Sequence, residues 1–129
     1  MRGPVLEIDP EQVRDALMVS CYGGFVVVQA AAQRMLARDS VSILLTGASA
    51  SVKGFANSSS LAMGKFGLRG LAQSSARELA PRGIHVAHFV IDGGIRAAGS
   101  ASSDDERLDP DAIAQTYLDI HRQNRSAWT

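Results

Sequence analysis

The sequence predicts an α/β fold with a parallel sheet, and two kinds of segment carry this prediction. Residues 42–46 and 84–91 are short apolar runs bounded by turn residues, which is typical of buried strands. Before, between and after them lie three longer segments whose apolar residues recur at helical spacing. The order helix, strand, helix, strand, loop, helix favours parallel strands joined by right-handed crossovers.

The first helix is predicted over residues 10–38. Asp9-Pro10-Glu11 is typical of a helix start. The Asp side chain can accept hydrogen bonds from the free backbone amides of the first turn, and the N–H that Pro10 lacks would have no partner within the helix. Gly23-Gly24 lie in the middle of this helix and cost about 1 kcal/mol each relative to alanine. We therefore expect a kink or a close contact with another helix at this point.

The first strand and the second helix form the next unit. Asp39-Ser40 and Gly47 bound the strand at residues 42–46. Serines 58 to 60 offer caps for a helix that continues to about residue 80, and Gly83 is the expected stop signal.

The second strand, residues 84–91, is apolar except for His85 and His88. The two histidines are three residues apart, so their side chains point to opposite faces of the sheet and cannot chelate one metal ion. We predict no metal site.

Residues 96–107 are rich in Ala, Ser and Asp and are predicted to form a surface loop, with a lid over a site as the alternative. Asp109-Pro110-Asp111 repeats the helix-start pattern and predicts a final helix. Trp128 lies close to the end of the sequence. We expect that it packs on something, such as another subunit, or that the natural chain continues.

Composition limits the possible functions. The chain has 129 residues, 46% of them hydrophobic, which predicts a single domain over residues 1–129. The 13 Lys and Arg balance the 13 Asp and Glu, so no net charge favours nucleic acid or an anionic membrane surface. Cys21 has no second cysteine to pair with, and a buried, inert thiol is favoured over a reactive one. With no secretory signal and no apolar run of about 20 residues, we expect a cytoplasmic protein.

A particular set of residues resembles the second half of a short-chain dehydrogenase/reductase. These residues are Thr46-Gly47-Ala48-Ser49, Gly54-Phe55, Lys65 and the segment ARELAPRGIHV at residues 76–86, and the resemblance extends from about Val5 onward. It implies a partial Rossmann-like, doubly wound parallel sheet. It also implies a homo-oligomer, because the family's helices that match residues 10–38 and 58–80 commonly form a four-helix bundle between subunits.

The resemblance implies NAD or NADP as cofactor, but one part of the family's cofactor site is missing. The glycine-rich phosphate loop that follows the family's first strand has no counterpart, since Gly-x-x-x-Gly-x-Gly occurs nowhere in the sequence. We expect that this chain alone does not bind a dinucleotide tightly. Two strands are also too few for a stable sheet, so a missing N-terminal half or another copy is expected to supply neighbours.

The family's proton-transfer residues are a Tyr, a Lys one helical turn later, a Ser and an Asn. Lys65 matches the lysine, whereas the tyrosine position is Leu61. The serine position falls on Ala48, with Ser49 as a neighbouring hydroxyl, and the asparagine position corresponds to Ser20. An alternative role for Lys65 is that of a solvated or ion-paired helix lysine.

Conditional on a complete nucleotide site, the resemblance assigns cofactor contacts to Lys65, Asp92 and Gly93, the last two standing where the family has Pro-Gly. The chain is thus identified as an atypical short-chain dehydrogenase/reductase that is NAD(P)-dependent by descent and inactive alone. Two alternatives are a non-catalytic oligomerisation or regulatory module, and one half of a split dehydrogenase that another chain completes.

Overall fold

The computed structural model describes residues 2–38, 41–97 and 106–128. Within them, six elements follow one another along the chain, with a π-helical segment, Met18–Tyr22, between the first two. The elements are α1 (Pro10–Leu17), α2 (Gly23–Met35), β1 (Val41–Ala48), α3 (Ser59–Leu79), β2 (Ile84–Ile91) and α4 (Pro110–His121).

The two strands are parallel, which confirms the predicted α/β arrangement. They pair along their whole length, from Val41 opposite Ile84 to Ala48 opposite Ile91. The predicted first strand, residues 42–46, was therefore too short, because pairing with β2 extends it over Gly47 and Ala48. Among the described residues the sheet has these two strands, so each strand is paired along one edge.

The N-terminal helical run differs from the single helix predicted over residues 10–38. It is interrupted by the π-helical segment, and α2 ends at Met35. The expected close contact is present, since a Cβ on Gly24 would lie 2.7 Å from Leu68 Cδ1 in α3. A Cβ on Gly67 would likewise lie 2.5 Å from Cys21 Sγ, so glycines on both helices allow their backbones to approach.

The predicted helix boundaries hold where they rest on local chemistry. Asp9 and Asp109 each accept a hydrogen bond from the backbone N–H two residues later, at 3.0 Å. Ser58 occupies the position before α3, but its side chain makes no capping hydrogen bond. Gly83 ends the turn after α3 with φ of 85°, a left-handed conformation that glycine adopts without strain.

Helices cover both faces of the strand pair. The face towards α2 and α3 holds the main apolar core, which consists of Val28, Ile43, Leu79, Ile84 and Val86. On the other face, Tyr117 of α4 stacks on Phe89 of β2 with ring centroids 3.7 Å apart. The order of layers is that of the doubly wound fold predicted from the sequence.

The segment after α4 folds back onto the start of β2. Arg125 donates hydrogen bonds to the carbonyl oxygens of Ala80 and Pro81, at 3.0 and 2.9 Å. The Trp128 ring lies 4.4 Å from the His85 ring and is nearly parallel to it. Trp128 packs on something, as expected, and its partner is in the same chain.

The helical run Pro10–Met35 stands apart in composition. Its 26 residues are long and apolar enough to cross a membrane, with a mean hydropathy of 1.4, and 6% of the most apolar window is buried inside the chain. Charged residues such as Arg14 and Asp15 interrupt its apolar residues, so the helix holds no unbroken apolar run of about 20 residues. One such helix is weak evidence of a membrane span, because the core helices of soluble proteins have the same length and composition.

Gly47 is expected to tolerate no side chain. A Cβ at this position would collide with the His88 ring and would lie 2.6 Å from Ser51 Oγ. Overpacking of this kind costs about 1–3 kcal/mol, so Gly47→Ala should lower the free energy of unfolding by that amount in urea denaturation. Gly54→Ala is the control, since a Cβ there meets no atom within 4 Å. Equal stability of the two variants would contradict the tight packing of His88 on β1.

Candidate functional site

The candidate site lies at the carboxyl ends of the two strands. Ala48 and Ile91 end β1 and β2 opposite each other, so the loops that follow both strands leave the sheet at one edge. In open parallel sheets, ligands bind in the crevice outside this edge. Four of the five residues proposed from the sequence lie on the elements that meet here.

Lys65 reaches the site from α3. Its Nζ donates a hydrogen bond to the backbone carbonyl oxygen of Thr46, two residues before the end of β1, at 3.3 Å. The side chain is half-buried. An ammonium group has three donors, so two remain for a ligand above the strand end.

Ser49 and Asp92 join the two loops that follow the strands. Ser49 Oγ donates a short hydrogen bond to Asp92 Oδ1. Gly93 follows with φ of 151°, a backbone conformation that other residues rarely adopt. The structure thus brings Ser49, Asp92 and Gly93 to the same edge of the sheet as Lys65, while their roles stay predictions.

Ser20 packs against α3 and is not on either loop that follows a strand. It belongs to the π-helical segment, and a Cβ on Gly64 would lie 3.0 Å from Ser20 Cβ. Ser20 therefore packs against the residue that precedes Lys65. Single π-helical turns are frequent at functional sites, and this one places Ser20 beside the lysine-bearing helix.

Two positions lack the groups that acid–base chemistry requires. Leu61 is half-buried one helical turn before Lys65 and has no proton to exchange. Ala48 has no hydroxyl, and the nearby Ser51 Oγ, fully buried, accepts a hydrogen bond from the Ala48 N–H at 3.0 Å. That hydroxyl stabilises the turn after β1.

The structure adds a polar pair that the sequence motifs did not predict. The hydroxyls of Thr46 and Tyr117 are hydrogen-bonded at 2.8 Å, on the α4 face of the sheet. A Thr near the end of an otherwise apolar strand was the available signal. Its partner lies 71 residues further along the chain, and only the packing of α4 brings the two together.

His88 lies in an environment that the sequence pattern does not predict. It faces α3 and Gly47, whereas His85 faces Trp128, as expected for residues three apart on a strand. His88 Nε2 is buried and has no hydrogen-bond partner among the described residues. Burial lowers the pKa of His88, and the positive charges of Arg69 and Lys65 lower it further. The neutral ring is therefore favoured beside the lysine.

The arrangement fits one end of a dinucleotide and not the other. Lys65 has free N–H donors at the carboxyl ends of the strands, where open parallel sheets bind ligands, and the resemblance assigns them to the ribose hydroxyls. A pyrophosphate needs a glycine-rich turn that opens a helix, and the sequence holds no such pattern. The residues of this chain therefore do not fit the whole cofactor.

Comparison with known proteins defines the family. A family model described as enoyl-(acyl carrier protein) reductase matches residues 1–122. The chain belongs to this family of short-chain dehydrogenases/reductases, as the sequence motifs indicated.

Individual relatives agree with this. A short-chain dehydrogenase structure from Rhodopseudomonas palustris is 38% identical, with a TM-score of 0.83, and the match covers 100% of this chain and 54% of that one. L-2,3-butanediol dehydrogenase of Corynebacterium glutamicum is 33% identical over 81 residues, which are 62% of this chain and 31% of the enzyme. The matched region thus spans about half the length of the first relative and about a third of the second.

A third likeness shows the fold alone. The structure of a gluconate 5-dehydrogenase from Burkholderia cenocepacia, in complex with NADP and tartrate, is 23% identical with a TM-score of 0.69. The match covers 82% of this chain and 42% of that one. The α/β architecture is therefore shared with a protein that binds a nicotinamide cofactor.

Stability is expected to fall on acidification below pH 6.5. Burial lowers the pKa of His85 from 6.5, a hydrogen bond with the Ile120 backbone opposes the shift, and the charge of His121 adds to it. The pKa of His88 is lowered as well. The unfolded chain therefore binds more protons than the folded chain just below pH 6.5, so the midpoint of thermal unfolding should drop as pH falls from 7.5 to about 5.5.

The variant His85→Phe keeps an aromatic ring against Trp128 and removes one titrating group. Its unfolding midpoint should depend less steeply on pH over the same range, measured by circular dichroism. An unchanged slope would show that His85 titrates alike in the folded and unfolded chains.

Proposed function

We propose that this chain is the C-terminal half of a short-chain dehydrogenase/reductase, NAD(P)-dependent by descent, and that it does not transfer hydride by itself. One observation carries the proposal: Lys65 and the Ser49–Asp92 pair lie at the same carboxyl edge of the sheet, while Leu61 occupies the position of the phenol. The site supports ligand positioning and lacks proton transfer.

The cofactor, when bound, supplies the hydride chemistry, and this chain supplies contacts to its nicotinamide end. Lys65 would donate to the ribose hydroxyls with the donors that its bond to Thr46 leaves free. The loop at Asp92 and Gly93 would border the ring. The pyrophosphate contacts would come from residues of another polypeptide segment that carries a glycine-rich loop.

Neither Tyr117 nor His88 takes the place of the missing phenol in this proposal. The hydroxyl of Tyr117 is hydrogen-bonded to Thr46 and lies on the α4 face of the strand pair. His88 is neutral by preference, and its Nε2 is buried against Gly47.

Calorimetric titration of the purified chain with NADPH and with NADH tests this proposal. We expect no micromolar binding by the chain alone, because pyrophosphate recognition is absent. Lys65→Met is the matched variant, since it keeps the length of the side chain and removes the charge.

Micromolar binding that Lys65→Met weakens would contradict the claim that the dinucleotide site is incomplete. Binding that appears only after addition of a chain with a strand and a glycine-rich loop would favour the split dehydrogenase. An upstream reading frame that encodes such a loop is the genomic observation that supports the same alternative.

A homo-oligomer is the second part of the proposal, and an exposed apolar surface supports it. Val19 and Tyr22 of the π-helical segment are 78% and 56% exposed, and Phe66 of α3 is 44% exposed. Large apolar side chains concentrated on one helical surface are typical of an interface. A second copy would cover them in the cytoplasm, without a membrane.

Gly70 indicates where the copies approach most closely. It lies on the exposed side of α3, one turn after Phe66, and a Cβ there meets no described atom within 4 Å. A glycine inside a helix costs about 1 kcal/mol relative to alanine, and nothing described within this chain requires it. We infer that α3 of one copy contacts a helix of another copy at Gly70. The same contact would serve the alternative function of the chain as an oligomerisation module.

Sedimentation velocity in detergent-free buffer tests the interface. Gly70→Glu places a charge at the contact and should convert the oligomer to a folded monomer at the same protein concentration. Gly54→Glu is the matched control, because it adds the same charge at another glycine with open surroundings, and it should leave the oligomer intact. A wild-type chain that is monomeric at all concentrations would refute the interface.

A further inference from the structure

An open cavity lies at the amino ends of β1 and β2, at the opposite end of the sheet from Lys65. Its volume is about 570 Å³, and Val41 and Gly83 mark its floor, where the two strands begin. The end of α2, the turn after α3 and the segment after α4 form its walls. The dehydrogenase-like function makes no use of it.

The charge of this cavity is strongly one-sided. Four arginines line it: Arg38, Arg82, Arg122 and Arg125. The whole chain has 13 Lys and Arg balanced by 13 Asp and Glu, yet none of the lining residues is acidic. None of the four forms a salt bridge among the described residues. Guanidinium groups stay charged in proteins, and no carboxylate among the described lining residues offsets their mutual repulsion.

Part of this cationic wall is held in place. Arg125 is fixed by its two hydrogen bonds to the carbonyl oxygens of Ala80 and Pro81. His121, which also lines the cavity, has its Nδ1 within 2.5 Å of Ser42 Oγ. A preorganised donor loses less conformational entropy when a ligand binds.

We propose that this cavity binds a small polyanion that carries two or more phosphate groups. A guanidinium group can donate two parallel hydrogen bonds to one phosphate group. Four guanidinium groups carry more positive charge than a single carboxylate can neutralise, which favours a ligand with several negative charges. The volume lies within the range of small-molecule sites, about 300–1,000 Å³. The site is separate from the nicotinamide region and stands whether or not the chain takes part in hydride transfer.

Trp128 provides a direct measurement, because it lines the cavity and is the one Trp of the chain. Its fluorescence should change saturably when inorganic pyrophosphate is added at constant ionic strength. Orthophosphate and citrate are the comparison ligands, and both should bind at least tenfold more weakly than pyrophosphate.

The variant pair separates the cavity from general charge. Arg82→Gln/Arg122→Gln should weaken pyrophosphate binding at least tenfold, since two charge-assisted contacts to the phosphate oxygens are lost. Arg14→Gln/Lys53→Gln removes the same charge elsewhere, at an ion pair in α1 and in the loop after β1, and should weaken binding less than twofold.

A third variant covers the case in which the double glutamine variant fails to fold. Arg82→Lys/Arg122→Lys keeps the charge and loses the paired hydrogen bonds. Its affinity for pyrophosphate should therefore lie between that of Arg82→Gln/Arg122→Gln and that of Arg14→Gln/Lys53→Gln. Equal weakening of binding in both glutamine pairs would overturn the proposal, and so would citrate binding as tightly as pyrophosphate. The proposal is also overturned if the fluorescence shows no saturable response up to about 10 mM pyrophosphate, because a ligand in large excess over its Kd occupies even a weak site.

Discussion

The close packing of α3 against the β1–β2 pair is the contact on which the rest of the structure depends. Leu79 of α3 joins Ile43, Ile84 and Val86 of the strands in the main core. The same helix approaches the N-terminal helical run closely enough that glycines replace larger residues at the crossings, as Gly24 opposite Leu68 shows. Since α3 touches both the sheet and the first helices, a shift of this helix would displace the core and the candidate site together.

That packing also explains why the site keeps a scaffold without its acid–base groups. The pairing of the two strands determines the position of Thr46, and the packing of α3 determines the position of Lys65. The hydrogen bond between the Lys65 ammonium and the Thr46 carbonyl oxygen therefore follows from the fold. The residue one turn earlier, Leu61, is free to be apolar because nothing in the packing needs a hydroxyl there. A helix position can therefore be apolar while the helix that carries it stays part of the core.

The charges and the apolar surface are distributed in a way that separates three regions. The carboxyl ends of the strands hold Lys65 and the Ser49–Asp92 pair, the amino ends hold the arginine-lined cavity, and the first helices carry exposed apolar residues. Neither the neutral total charge nor the mean hydropathy reveals this separation. It arises because parallel strands bring the beginnings of distant segments to one end of the sheet and their ends to the other.

Local patterns in the sequence were sufficient for the helix caps at Asp9 and Asp109, the left-handed Gly83 and the second strand, because each depends on neighbours within a few residues. The structure places Lys65, Ser49 and Asp92 at one edge of the sheet, and the roles that the family resemblance implies for them stay predictions. The π-helical segment, the Thr46–Tyr117 pair and the stacking of Trp128 on His85 were decided by the tertiary structure. Each of these requires two elements far apart in the chain to pack together, and periodicity in one segment holds no information about its distant partner.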